Sequence, residues 1–199
     1  MNAATDLFGG LPHDRRRFLP GLVSRDDAIS PGQEAELIAR IDGCDLTPFR
    51  FQGWLGKRLT CSFGWSYDFD LGQFEQVAPL PDWLVPIRDI AAQVAGLPAI
   101  CLEQALLIRY DPGAGIGWHK DRPVFEHVVG LSLGNAATLR FRRRREGGFD
   151  RFSHEARPRS LYHIAGEARH QWEHSIVEMT VPRWSITFRS LAGAARCAS

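Results

Sequence analysis

Two hydrophobic periods run through the chain, one of three to four residues in two early segments and one of two residues after residue 101. The first early segment opens at Ser30-Pro31-Gly32-Gln33. Ser30 suits a helix N-cap, Pro31 the first helical position, and Gln33 completes a capping box. Leu37, Ile38 and Ile41 then form an apolar stripe, which Gly43 stops. A second helix is predicted over Pro81 to Ala95, with Leu84, Ile87, Ile90, Ala91 and Val94 on one face. Pro86 lacks a backbone donor, so the regular part begins only there, and Gly96-Leu97-Pro98 ends it. Both stripes are packing surfaces for a sheet.

Beyond residue 101, short segments rich in β-branched and aromatic residues are separated by Gly, Pro or Asn. They lie around Leu106–Tyr110, Val128–Leu133, Thr138–Arg143, Ser160–Ile164, Gln171–Val177 and Trp184–Leu191. Helices followed by such a run predict a mainly β, α+β fold, in which a jelly-roll-like double sheet is braced on one side by two N-terminal helices. The 199 residues suit one domain. It is expected over residues 26–199, after an extended arm at 1–25.

Composition adds exclusions. Lys and Arg total 24 against 23 Asp and Glu, a formal charge of +1, so no global field favours nucleic acid and any preference rests on local clustering. Cys44, Cys61, Cys101 and Cys197 form no CxxC pair, which argues against a structural zinc site and fits free thiols in a reducing cytoplasm. The N-terminus lacks the apolar core of a signal peptide, and no segment is apolar enough to span a bilayer. The expected location is cytoplasmic, away from membranes, and the expected state a monomer.

Candidate chemistry starts at Gly115-Ile116-Gly117-Trp118-His119-Lys120-Asp121. In an extended segment residues two apart face the same way, so His119 and Asp121 can reach one ion. A His-x-Asp is a weak signal alone. His174, on a later predicted strand, supplies a third ligand. Two His and a carboxylate make the facial triad of non-haem Fe(II) oxygenases, and a catalytic zinc site can use the same set. The last strand alternates Trp184, Ile186 and Phe188 against Arg183, Ser185, Thr187 and Arg189. If the apolar face packs on the helices, both arginines turn toward the other side of the sheet. There they are either solvent-exposed or buried in a barrel, where a guanidinium needs an anion such as a dicarboxylate.

On these residues, with Tyr110 and the turn Asp111-Pro112-Gly113-Ala114-Gly115, the chain resembles the AlkB-type Fe(II)/2-oxoglutarate-dependent dioxygenases from about Tyr67 to Leu191. The resemblance implies a double-stranded β-helix, Fe(II) held by His119, Asp121 and His174, and 2-oxoglutarate and dioxygen as co-substrates. It implies that Arg183 and Tyr110 bind the distal carboxylate of 2-oxoglutarate and that Arg189 lies nearer its 1-carboxylate and Asp121. The chain departs from the family pattern at Ile108, where many members carry Asn. The implied activity is oxidative dealkylation of N-alkylated bases in DNA or RNA, releasing succinate, carbon dioxide and formaldehyde. The alternatives are the same chemistry on methylated protein or a small molecule, or a non-catalytic binding module.

For substrate, the resemblance places a lid at about residues 50–70. Lys57, Arg58 and Arg122 are the candidate polar contacts, and Trp65, Tyr67 and Phe69 the candidate stacking rings. The alternative reading is that Trp65, Tyr67 and Phe69, at period two, form the buried face of a strand, Trp65 more than Tyr67. Arg122-Pro123 stands where some nucleic-acid repair members carry an acidic residue that contacts the base. A second basic feature comprises Arg140, Arg142–Arg145, Arg151, Arg157 and Arg159, read either as a charge-protected strand edge or as a ridge for a nucleic-acid backbone. His13, His127, His154, His163 and His170 read as ordinary surface or strand residues.

Overall fold

The computed structural model describes residues 19–51 and 53–193. Residues 1–18 of the expected arm, with His13, and Cys197 lie outside them. The first part of the chain holds β1 (Leu22–Arg25), α1 (Pro31–Asp42), β2 (Thr47–Phe51), β3 (Trp54–Phe63), β4 (Trp65–Asp68), β5 (Gln73–Gln76) and α2 (Val85–Ala95). Six strands follow without a long helix: β6 (Gln104–Tyr110), β7 (Ile116–His119), β8 (Phe125–Leu133), β9 (Ala137–Arg145), β10 (Gly148–Ala156) and β11 (Leu161–Ile164). The short α3 (Gly166–His170), β12 (Glu173–Ile176) and β13 (Arg183–Leu191) complete the order.

Two antiparallel sheets face each other. The larger runs β1-β11-β8-β13-β6-β3-β2 and the smaller β10-β9-β12-β7, while β4 and β5 form a separate hairpin. Period-two alternation assigns each strand a role on both faces. On β8, Val128 enters a core between the sheets with Tyr110, Phe141 and Ile164. Its neighbours Val129, Leu131 and Leu133 enter a second core with Ile41, Ile87, Ala91, Ile186 and Phe188, where α1 and α2 cover the larger sheet. This is the expected double-stranded β-helix braced by two helices.

The helix boundaries follow from local chemistry. Ser30 Oγ accepts from the Gln33 amide at 3.2 Å while the Ser30 amide donates to Gln33 Oε1 at 2.9 Å, so the capping box is complete. Pro86 sits in the first turn of α2, and Gly96 closes that helix with φ 67°, a left-handed cap that costs glycine nothing.

Other features differ from the sequence-based expectation. Strands are not confined to the second half: β1 pairs with β11, and β2 and β3 extend the larger sheet. Their short or irregular alternation does not announce these pairings, which for β1 and for β3 with β6 are made across more than forty residues of chain. The strand expected from Gln171 starts at Glu173, because Gln171 caps α3 and its amide donates to the Glu167 carbonyl. Cys44 and Cys61 are free thiols, but Cys101 is disulfide-bonded, against the expectation of four free thiols. Among the described residues no helix is long and apolar enough to cross a membrane.

Candidate active site

His119 ends β7 and His174 sits directly opposite it on β12, so the sheet register alone places two imidazoles side by side, with ring centroids 4.3 Å apart. Asp121 follows two residues after His119. One ligand atom from each of the three lies within 4.8 Å of the others. His119 Nδ1 donates to the Gly117 carbonyl at 2.9 Å, which leaves Nε2 as the lone-pair nitrogen.

Electrostatics keeps the set in its ligating form. Burial, with His119 adjacent, pushes His174 down to about 3, and burial likewise lowers His119, so both rings are neutral near neutral pH. Burial pushes the Asp121 carboxyl up, but Arg189 and the two histidines outweigh it and hold the group well below the usual carboxylate range. Asp121 Oδ1 is 3.1 Å from Arg189. Its Oδ2 is buried without a hydrogen-bond partner, with His174 Nε2 3.6 Å away. Two neutral imidazoles and an ionised carboxylate with an unsatisfied buried oxygen fit a divalent cation.

Across the inter-sheet core from the small sheet lies a second unsatisfied group. Arg183, at the start of β13 opposite Tyr110, is 0% exposed. Its Nε and one terminal nitrogen share Ser132 Oγ at 3.3 and 3.1 Å, while the other terminal nitrogen has no partner. The guanidinium lies 5.0 Å from the Tyr110 ring centroid and contacts the Tyr162 hydroxyl. A buried cation with a spare donor and, among the described residues, no carboxylate paired with it fits an anionic ligand. Arg189 is held by Asp121 and by Gln104 Oε1 at 3.0 Å. Ile108 is buried in the inter-sheet core two residues before Tyr110.

The residues expected in the lid divide. Lys57 is exposed, beside Gly113 of the glycine-rich turn. Arg58 instead turns inward, stacked 3.7 Å over the Phe49 ring. Burial lowers its pKa, and its charge reaches Tyr110 and Asp121. Trp65 stacks on Phe74 at 4.7 Å, and Phe74 meets Phe125 edge-on, so Trp65 supports the hairpin. Tyr67 packs against Phe69, and Phe69 against Phe49, at 4.9 and 5.2 Å. Arg122 lies 4.4 Å over Tyr67 and 5.3 Å over Phe69. One residue beyond the Asp121 ligand, an aromatic and guanidinium cluster therefore begins.

Several participants are invisible to motif reading. Tyr162 fits only because Gly130 faces it: a Cβ there would meet the Tyr162 ring at 2.2 Å. A glycine inside the apolar run Val128–Leu133 was the available signal. Arg169, buried on α3, donates to the carbonyls of Arg122 and Phe125, both at 2.7 Å, and so clamps the loop after Asp121. Of the remaining histidines, His127 and His163 bond each other at 3.0 Å, His170 meets Glu126, and His154 has a buried, unpartnered Nε2.

With this geometry in place, similarity to known proteins is informative. The family model of the 2OG-Fe(II) oxygenase superfamily matches residues 62–189. The tRNA (carboxymethyluridine(34)-5-O)-methyltransferase alkbh8 of Xenopus tropicalis is 29% identical over 162 residues, which cover 79% of this chain and 25% of that protein. The alkylated DNA repair protein ALKBH8 homolog of Arabidopsis thaliana is 24% identical, over 82% of this chain and 52% of that protein. The chain thus spans about a quarter and about half of these relatives. In fold, the structure of OsALKBH1 superposes with a TM-score of 0.67 over 87% of this chain and 100% of that one, at 15% identity. A Pseudomonas putida prolyl-4-hydroxylase gives 0.61 over 86% and 92%, also at 15% identity. Three convergent metal-binding side chains, a buried arginine with a spare donor and a jelly roll common to these proteins agree with the profile match: the chain belongs to the 2OG-Fe(II) oxygenase superfamily, whose cofactors are Fe(II), 2-oxoglutarate and dioxygen, and is similar to its AlkB-type members.

Proposed function

We propose that the protein is an Fe(II)- and 2-oxoglutarate-dependent dioxygenase that oxidatively dealkylates N-alkylated bases in DNA or RNA. The observation that carries the chemistry is the presence of two buried, unsatisfied groups of opposite charge, Asp121 Oδ2 and the spare Arg183 donor. In this reading His119, Asp121 and His174 hold the metal. Arg183 donates to the distal carboxylate of 2-oxoglutarate, with Tyr110 beside it. Arg189 holds Asp121 ionised and oriented. Bound there, Fe(II) would let dioxygen oxidise both partners: one oxygen atom would enter succinate as 2-oxoglutarate loses carbon dioxide, and the other would hydroxylate an N-methyl C–H bond to a hemiaminal that collapses to formaldehyde and the free amine.

The relatives' names, tRNA-directed in one case and alkylated-DNA repair in the other, support a nucleic-acid substrate. The cluster of Phe49, Tyr67, Phe69 and Arg122 supports a base as the group admitted, since rings and a guanidinium plane can stack on a flipped base. Lys57, on the exposed side of the same strand as Arg58, is the lid cation in reach of a phosphate, while Trp65 buttresses the hairpin.

The test is succinate and formaldehyde release with Fe(II), ascorbate and 2-oxoglutarate, using oligonucleotides that contain 1-methyladenine and, in parallel, methylated peptides. Formaldehyde in step with succinate from the oligonucleotides is expected. Product from the peptides alone would overturn the substrate class, and an inert protein in every assay would overturn the enzyme.

A further inference from the structure

The arginine run at 140–145 supplies none of the metal-binding or anion-binding side chains above, and the fold splits it in two. Ala137, Leu139 and Phe141 of β9 point into the inter-sheet core, so Arg140, Arg142 and Arg144 point out from the small sheet. On β10, Phe152 packs inward, and Phe149 and Arg151 point out, directly opposite Arg144 and Arg142. Trp118 of β7 lies under Arg140 and Arg142, at 5.0 and 4.5 Å. Phe149 gathers Arg142, Arg144 and Arg151 within 4.9–5.6 Å. Two aromatic rings thus hold four guanidinium groups in a fixed array.

The array is poorly neutralised. Arg143, facing the other way, is paired with Glu167 and Asp150, and Arg145 with Asp150. On the outer face Glu173 meets Arg142 at 2.6 Å, but Arg140, Arg144 and Arg151 have no carboxylate partner among the described residues. A chain of net charge +1 therefore concentrates like charges on one sheet face, an arrangement that costs free energy unless an anion answers it. A cleft of about 230 Å³ opens there, lined by Lys120, Arg142, Arg144, Phe149, Gln171 and Glu173. Lys120 joins it to the metal site. Within three residues the chain passes from this cleft at Lys120, through the ligand Asp121, to Arg122 over the lid aromatics.

We propose that the outer face of the β10-β9-β12-β7 sheet docks the phosphodiester backbone of a single nucleic-acid strand, with the Lys120–Arg142–Arg144 cleft seating a phosphate and the strand continuing over Lys120–Arg122 to the lid. The inference rests on the nucleic-acid reading of the substrate, but its test needs no turnover. The probe is a fluorescein-labelled, unmodified oligothymidylate titrated into the protein at several salt concentrations. Arg144→Ala and Arg151→Ala remove exposed side chains whose loss leaves no buried partner. Each is expected to weaken binding severalfold and to flatten the slope of log K against log salt by about 0.7, the release of one condensed counterion from a single strand. Arg144→Lys should retain the slope. Arg25→Ala, an exposed arginine on the far sheet, should change neither quantity.

Wild-type protein that does not bind the oligonucleotide, or an Arg25→Ala variant that weakens as much as Arg144→Ala, would overturn the docking face. Succinate release from a methylated free nucleoside reports separately on the catalytic reading. It should be the same in Arg144→Ala and wild type, while the apparent KM for a methylated oligonucleotide rises in the variant alone.

Discussion

Arg183 and Tyr162 show how a residue's role depends on what faces it. Arg183 is fully buried and leaves one donor unmatched, so its replacement by Ala should raise the dissociation constant of 2-oxoglutarate about 10- to 100-fold, the loss of one or two charge-assisted hydrogen bonds. Calorimetric titration of Mn(II)-loaded protein checks this, and Mn(II) affinity itself should stay unchanged. Tyr162→Phe retains the ring against Gly130 and removes only the hydroxyl beside Arg183, so a smaller rise of about fivefold is expected. An unaltered dissociation constant in both variants would mean that the anion sits elsewhere. The arginine was legible in the sequence because strand alternation set it against Trp184, Ile186 and Phe188. Tyr162 was not, since a tyrosine among Leu161, His163 and Ile164 looks like any other core residue until its partner strand is known.

At the scale of elements, α3 matters more than its five residues suggest. Its Arg169 reaches across to two carbonyls of the Arg122–Phe125 segment, and that segment carries both the exit from Asp121 and Phe125, on whose ring Arg189 lies at 5.2 Å. Arg169→Met removes two charge-assisted hydrogen bonds, the one to Phe125 buried, and should lower stability by about 2–4 kcal/mol, read as a lower urea midpoint. Because the loop also fixes a ligand, Mn(II) affinity should fall at temperatures where the variant is still folded, and Arg169→Lys should recover part of it. A variant that loses stability with undiminished Mn(II) affinity would confine Arg169 to a packing role. α1 and α2 were readable because helical periodicity and caps are local. α3 falls in the gap between the predicted strands Ser160–Ile164 and Gln171–Val177, and it is tied to the turn before β1: Ala165 and Ala168 donate to carbonyls of Gly21 and Pro20.

For the whole molecule, the balance between burial and charge sets the response to pH. His163 is pushed down to about 4, chiefly by burial and then by His127. The unfolded chain takes up that proton near pH 6.5, so between about 6.5 and 4 the unfolded state binds more protons and stability falls as the pH falls. The urea midpoint of the metal-free protein should therefore drop between pH 7 and about pH 5. His163→Gln, which can still bond His127 but does not titrate, should drop less. An identical decline in the variant would remove His163 from the account. Over the same range the metal-free pair His119 and His174 acts in the same direction.

What the sequence alone determined was whatever short-range periodicity and chemistry encode: two capped helices, the face each barrel strand shows to the core, and three metal-binding side chains with two arginines in order along the chain. The tertiary structure decided what depends on register and on which elements meet. It set His174 opposite His119, turned Arg58 inward while Lys57 stayed out, covered Trp65 with Phe74, and brought Tyr162 over Gly130. It also divided the arginine run, pairing Arg143 and Arg145 with acids and leaving Arg140, Arg144 and Arg151 on an outer face. The physical reason is common to all of these. A side chain's direction along a strand is fixed by its neighbours in sequence, but the group it meets is supplied by a strand far away, and only folding brings the two together.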